Sequence, residues 1–453
     1  KAPQIRILAY DDEAMSYCGY RNLAEPDTDI HFIVIKLIFG HNEYGDRVEV
    51  FYDPDPTMAE PPKTQWINSH ANTSLDIAFD RFHFHQQWGN EFLEFDEIRV
   101  GETWEDVAPA DVDVPPESTI HVDAGNAAPE YPYTNWTTAA TSVHDAVSVK
   151  SVRLTYLLTN GVYDLRDELY FTSECTLKSV NGPESTILVG SKGGPPTRCL
   201  NLGSAPITVQ GVTLSNGHSY RPVTYYLPAA NNAVIGSGGG VVCNDFTPLV
   251  TNCIITGCRA TWGGGAHGGR FIDCRITGNE AHNEGGGAAS ARLIGCTIDN
   301  NVSSNHAGGV YKSYVTRSRL IGNRAAVGGG CNVSHIDASL IRGNVAGMGA
   351  GAWRSGLTNC VVTHNRAERS GGGMSGGSAV NSIVYDNIAP DSPNHKNAEL
   401  TACCTAPVAG DGSIPGPPGL YDRMHIGEES VCAGAGIASL SRTDIDGDAW
   451  DSP

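Results

Sequence analysis

The sequence predicts an all-β chain, a parallel β-helix solenoid with a small β-sandwich fragment at its N-terminus. Three observations predict the solenoid. Aligned on Cys253, Cys274, Cys296, Ser318, Ser339, Cys360 and Ser382, the second half repeats in steps of 21, 22, 22, 21, 21 and 22 residues. Five residues after each anchor stand Cys258, Asn279, Asn301, Asn323, Asn344, Asn365 and Asn387. Between anchors lies a glycine cluster, as at Gly263 to Gly265, Gly285 to Gly287 and Gly371 to Gly373. A fixed period of this length marks a solenoid.

Each coil is too short for two helices and their turns, but it fits short strands. Cys253-Ile254-Ile255, Arg275-Ile276, Thr297-Ile298, Ser339-Leu340-Ile341 and Val361-Val362 are β-branched or apolar, as strands require. The Asn column is expected at a turn, where Asn tolerates left-handed backbone and its amide bonds to the amides above and below. The glycines supply another sharp corner. Seven clear coils stack to a rod of roughly 30 Å. The register extends back to Gly211 as anchor, with Asn216 five residues later. Between Gly211 and Cys253 lie two coils or, preferably, one coil with a long loop carrying Tyr220, Tyr225 and Tyr226.

Four segments are expected: a β-sandwich fragment at 1–113, a linker and N-terminal capping helix at 114–150, the β-helix at 151–400, and closing coils at 401–453. In the first, Phe32 to Phe39 and Arg47 to Tyr52 read as a strand pair, with further strands at Phe82 to His85 and Glu94 to Val100. In the second, Ala139, Ala140, Val143, Ala146 and Val147 have helical spacing within Trp136 to Val149. A helix there would cover an open solenoid end that otherwise invites aggregation.

The net charge of −20 is uneven: residues 1–113 hold 23 acids against 8 bases, whereas 250–390 hold 7 acids against 12 bases. The acidity argues against nucleic acid as a partner, and the mildly basic solenoid makes anionic glycans more plausible than DNA. The most apolar run, Phe32 to Phe39, is short and contains Lys36, so direct membrane insertion is not expected. The chain starts at Lys1 without methionine, and a longer precursor is expected. Of 13 cysteines, the stacked Cys253, Cys274 and Cys296 read as buried thiols, because in-register coils hold Cβ atoms too far apart for a relaxed disulfide. Cys403 and Cys404 with Cys432 are the better place for a bridge, and no spacing resembles a zinc site.

The hydrophobic-x-x-Asn and glycine-cluster coils resemble the right-handed parallel β-helix repeats of secreted bacterial proteins of the pectate-lyase-like superfamily, and are similar to polymorphic outer-membrane protein repeats. The resemblance covers about residues 120–453. Residues 92–109, from Phe95-Asp96-Glu97-Ile98 to Pro109, resemble the last strands of a laminin-G or concanavalin-like jelly roll. The resemblance implies an extracellular or cell-surface protein. Its members include lyases, hydrolases, adhesins and passive rods, so the fold alone does not choose.

A hydrolase needs converging carboxylates, and Asp273, Glu280, Glu284, Asp299, Asp337, Glu368 and Asp386 occupy different places in the repeat. Glu280 and Glu284 read as solvated turn residues, and the scattered histidines as surface. A lyase needs a base and a group that neutralises the uronate carboxylate. Arg259, Arg324 and Arg366 each follow the Asn column and suggest an interrupted basic stripe for an anionic glycan, together with the tyrosine loop. Asp444, Asp446 and Asp448 have the alternation of a calcium loop but lack its closing Glu, so calcium is a candidate cofactor and none is required. The preferred reading is an adhesin, glycan-binding rod or self-assembling surface component. Its partners would be polysaccharides or other surface proteins, and it would form homo-oligomers or filaments. The alternative is a polysaccharide lyase or hydrolase working along one solenoid face.

Overall fold

The computed structural model describes five strands within residues 1–113, and residues 114–437 apart from 150, 172, 191–196, 220–235, 421–424, 427–428 and 434. The chain divides into two compact units, Lys1–Asp113 and Val114–Pro453. In the first, Arg6–Asp11 pairs antiparallel with Ser16–Asn22. Ile33–Ile38, Arg47–Tyr52 and Trp66–Ser69 form a three-stranded antiparallel sheet, with Ile35 opposite Val50 as the expected hairpin requires. Phe82 to His85, Glu94 to Val100 and the segment behind the jelly-roll resemblance lie outside the described residues.

The second unit is a right-handed parallel β-helix. A typical coil contributes four short strands: Arg270–Ile272, Arg275–Thr277, Glu280–Glu284 and Ala288–Ala289. The first and fourth belong to a front sheet of 20 strands, the second to a back sheet of 11, and the third to a flank sheet of 6. The back sheet runs from Gly161–Leu165 to Cys404–Thr405. At the usual interstrand spacing its ten steps span roughly 48 Å.

Alternation within each three-residue strand decides what is buried. Phe271 on the front and Ile276 on the back point inward and are fully buried, and their stacked equivalents continue one apolar core. Burying each such side chain stabilises by roughly 1.5–3 kcal/mol. The flank sheet faces a much thinner interior, where Ala281, Ala325, Ala346 and Ala367 occupy the inward column.

The corner between back and flank explains the Asn column. The left-handed residue is the one before each column member: Gly257, Gly278, Asn300, Gly322, Gly343, His364 and Asp386, with φ between 54° and 65°. The expectation that the column asparagines take this backbone is therefore corrected by one residue. Their side chains turn inward instead and form the expected amide ladder. Asn279 Nδ2 donates to Asn301 Oδ1 at 3.0 Å, and the pattern repeats through Asn323, Asn344, Asn365 and Asn387. Each amide also bonds to backbone, as Asn301 Nδ2 does to Ile276 O at 2.9 Å. Buried amides are tolerable because they are satisfied.

The backward register also shifts by one. Thr213 pairs with Ile254, so Val212 rather than Gly211 holds the anchor place, and Asn216 is the left-handed corner residue with φ 54°. Gly217 holds the ladder place, because any side chain there would meet Gly239 O at 2.0 Å. The direct pairing makes this one coil with an insertion, and residues 220–235 of it lie outside the described residues.

The helix is shorter than expected, Val143–Val147, with the Ser142 hydroxyl accepting from Asp145 N at 3.1 Å. Ala140 is drawn out of it by a parallel bridge to Val122. Val143 and Ala146 join the main core beside the strand Thr119–Val122. No helix among the described residues is long and apolar enough to cross a membrane.

Candidate functional site

Arg259, Arg324 and Arg366 share one outward column of the flank sheet, which runs Arg259, Glu280, Val302, Arg324, Val345, Arg366, Ile388. Glu280 Oε2 lies 3.3 Å from Arg259 Nε and neutralises it. Exposed Val302 and Ile388 and half-buried Val345 separate the rest. The column is interrupted by apolar side chains. Tyr220, Tyr225, Tyr226, Asp444, Asp446 and Asp448 lie outside the described residues. Asn279, Asn301, Asn323, Asn344, Asn365 and Asn387 are buried, so they serve the fold and touch no ligand.

A second cluster of side chains gathers at the glycine corner between flank and front sheets. The first glycine of each cluster is left-handed, with φ 70° at Gly328, 58° at Gly349 and 65° at Gly371. A Cβ on Gly328 would stand 2.9 Å from Asn332 Cβ, one on Gly349 3.0 Å from Trp353 Cε3, and one on Gly371 2.8 Å from Ser375 Cβ. The corner therefore needs glycine, because its backbone is left-handed and folds back so tightly that the carbonyl oxygen three residues on would lie closer still, 2.6 Å at Gly328, 2.8 Å at Gly349 and 2.7 Å at Gly371. His306 and Tyr311, five residues apart, meet over this corner, and Trp262 with His267 and Met348 with Trp353 hold the same places in their coils.

Coil stacking turns these pairs into two adjoining side-chain columns that bound one track, here called the groove. The flank wall runs Trp262, Glu284, His306, Val327, Met348. The front wall runs Ala289, Tyr311, Asn332, Trp353. At its centre the His306 and Tyr311 rings stack with centroids 6.4 Å apart at 26°. Asn332 Nδ2 lies 3.3 Å from His306 Nδ1. Burial, followed by the Glu284 charge, holds the Tyr311 phenol above the usual range. Cations sit on the rim, Lys312 Nζ 5.1 Å from the Tyr311 ring centre and Arg354 Cζ 5.8 Å from that of Trp353.

Both ends of the groove are tied by charge. Toward the N-terminus, buried Arg198 pairs with Glu168 and donates from Nε to Ser237 O at 3.1 Å and Gly238 O at 2.9 Å. Burial, and then the Arg198 charge, pushes the His267 imidazole down to about 4, so it is neutral at physiological pH. Toward the C-terminus, Lys396 Nζ meets Asp391 Oδ2 at 2.6 Å. Among the described residues no three His, Cys, Asp or Glu side chains gather as metal ligands.

Sequence reasoning placed Glu284 and His306 on solvated turns and did not bring them to Tyr311. The signal was present as a five-residue spacing across each glycine cluster. It becomes visible only once the glycine corner is known to fold back on itself.

No protein-family model matches this sequence, and no curated protein matches it. Among solved structures, the chain is similar to pectate lyase Pel9A, with 13% identity, TM-score 0.39, and coverage of 66% of this chain and 83% of that one. It is similar to the Dettilon tailspike protein, with 11% identity, TM-score 0.39, and coverage of 66% and 62%. The pectin methylesterase PemA from Erwinia chrysanthemi gives 12% identity, TM-score 0.32, and coverage of 55% and 80%. At these values nothing about ligand or chemistry passes to this chain.

Proposed function

We propose that this chain is a surface or extracellular β-helix protein that binds a polysaccharide along the groove at the glycine corner. One observation carries the reading: aromatic rings and hydrogen-bonding side chains follow one another along a track parallel to the solenoid axis. Trp262 and Trp353 lie four coils apart, roughly 19 Å, with Glu284, His306, Tyr311 and Asn332 between them. A sugar polymer offers the matching pattern of apolar ring faces edged by hydroxyls. Few, well-placed polar groups among aromatic surface are what orient such a ligand.

Binding is favoured over hydrolysis by the placement of carboxylates. Glu284 is the only acid near the centre of the two columns. The next carboxylate in them, Asp391, is five coils away, roughly 24 Å. Glycoside hydrolysis requires two carboxyl groups roughly 5–9.5 Å apart. End-to-end filaments draw less support, because α1 (Val143–Val147) packs at one end and Ile414 pairs with the last back strand at the other.

The test is affinity electrophoresis of the protein through gels containing a panel of neutral and uronate-rich polysaccharides, with the same panel assayed for new reducing or unsaturated ends. Retardation by at least one polysaccharide without new ends is expected. New ends would replace binding with catalysis, and unretarded migration throughout the panel would remove the proposal.

A further inference from the structure

The described cysteines are all thiols, and every one is buried except Cys432. Cys253, Cys274 and Cys296 occupy the same place in successive coils, where parallel Cβ vectors about 4.8 Å apart do not reach disulfide geometry. Their sulfurs already bond to backbone carbonyls, as Cys274 Sγ does to Ile272 O at 3.3 Å. They are packing residues.

Cys404 and Cys432 are placed differently. Cys404 lies in Cys404–Thr405, the last strand of the back sheet. Its neighbour Cys403 directs its sulfur inward to Ala379 O at 3.3 Å, whereas Cys404 Sγ faces Gly416 O at 3.3 Å, in the segment leaving the solenoid. That segment folds back over the final coils. Ile414 N donates to Cys403 O at 2.9 Å, and Thr405 N donates to Ile414 O at 3.2 Å. Further on, Ile437 N donates to Asn381 Oδ1 at 2.9 Å, and Asn381 Nδ2 returns a bond to Ile437 O at 2.7 Å. Between these two attachments the chain turns back toward Cys404, because Ser430 Oγ donates to Pro418 O, two residues beyond the Gly416 carbonyl that Cys404 meets. Cys432 N also donates to Ser430 Oγ at 3.0 Å, which fixes the local turn.

We propose that Cys404 and Cys432 form a disulfide that clasps the returning C-terminal segment to the last coil of the solenoid. The pair joins a strand to a loop, so the approach needed falls on the loop and leaves the stacked strands in place. The order of reaction follows from exposure. Cys404 is buried and Cys432 is partly exposed, so Cys432 reacts first. Its thiolate attacks one sulfur of a small disulfide such as oxidised glutathione and expels a glutathione thiolate. The Cys404 sulfur then displaces the second glutathione from Cys432, giving up its proton. The protein loses two hydrogens, and one oxidised glutathione becomes two reduced ones.

The experiment treats the folded chain with oxidised glutathione, alkylates the remaining thiols and maps peptides by mass spectrometry, with thermal unfolding before and after. The expected result is a linked peptide pair containing Cys404 and Cys432. The accompanying rise in Tm is roughly 5 °C, reversed by dithiothreitol and absent in Cys432→Ser. The proposal is overturned by alkylation of both thiols after oxidation, by a bridge to Cys403 or a ladder cysteine, by a lasting glutathione adduct on Cys432, or by a bridge that leaves Tm unchanged.

Discussion

A Cβ on Gly287 would stand 3.0 Å from Asn301 Nδ2, so the glycine and the asparagine one coil on occupy complementary halves of one buried site. The same contact recurs between Gly330 and Asn344 at 3.0 Å and between Gly373 and Asn387 at 2.8 Å. The third glycine of each cluster therefore exists for the ladder, while the first exists for the corner. Gly287→Ala also meets Gly309 O at 2.8 Å and is expected to cost about 2–3 kcal/mol. Gly343→Ala, left-handed but with nothing within 4 Å, is expected to lose only about 1 kcal/mol. Urea midpoints of the two variants give the comparison, and equal losses would refute it.

The ladder itself is tested at its middle. Asn323 Oδ1 accepts from Asn301 N and Nδ2, both at 3.0 Å, and its Nδ2 donates to Ile298 O at 2.9 Å and Asn344 Oδ1 at 3.1 Å. Asn323→Ala strands these partners away from water and is expected to cost roughly 3 kcal/mol. A Tm within 2 °C of the parent would contradict the structural role.

Stability should also fall in acid through His267. Its folded value of about 4 lies below the ordinary 6.5. The unfolded chain therefore binds the extra proton first, and the contribution is complete above pH 6.5 and lost as pH falls toward 4. The change approaches about 3 kcal/mol. Other groups titrate in this window, so the readout is the difference between the parent and His267→Gln at pH 7 and pH 4.5. A difference that stays constant with pH would show that His267 is not the group responsible.

The solenoid was legible because its period is enforced at three places in every coil: a buried strand centre, a ladder amide and a tight glycine corner. Each restricts residue type directly. What the sequence concealed was one residue of phase. Asn216 and Asn279 look equivalent in the repeat, yet one is a left-handed corner and the other a ladder member, because only the chain path decides which residue precedes the turn. The groove was less legible still. Glu284, His306 and Tyr311 meet through a fold-back that brings residues five apart into contact, and outward positions of a coil tolerate almost any side chain. Residues such as Arg324 and Arg366, which do repeat, drew attention to a different outward column.

That column yields its own prediction. With Val345 between Arg324 and Arg366, and Arg259 paired to Glu280, the double variant Arg324→Gln/Arg366→Gln should change polysaccharide retention less than twofold at low salt. A larger loss would return the binding surface to the flank sheet.

The account rests most on the groove, and calorimetric titration of the best-retained polysaccharide into the parent and into Tyr311→Ala/Trp353→Ala tests it most directly. The account predicts at least a tenfold loss of affinity, about 1.4 kcal/mol, with Tm nearly unchanged, because both rings are partly exposed on the groove wall. Unchanged affinity in a folded double variant would contradict it.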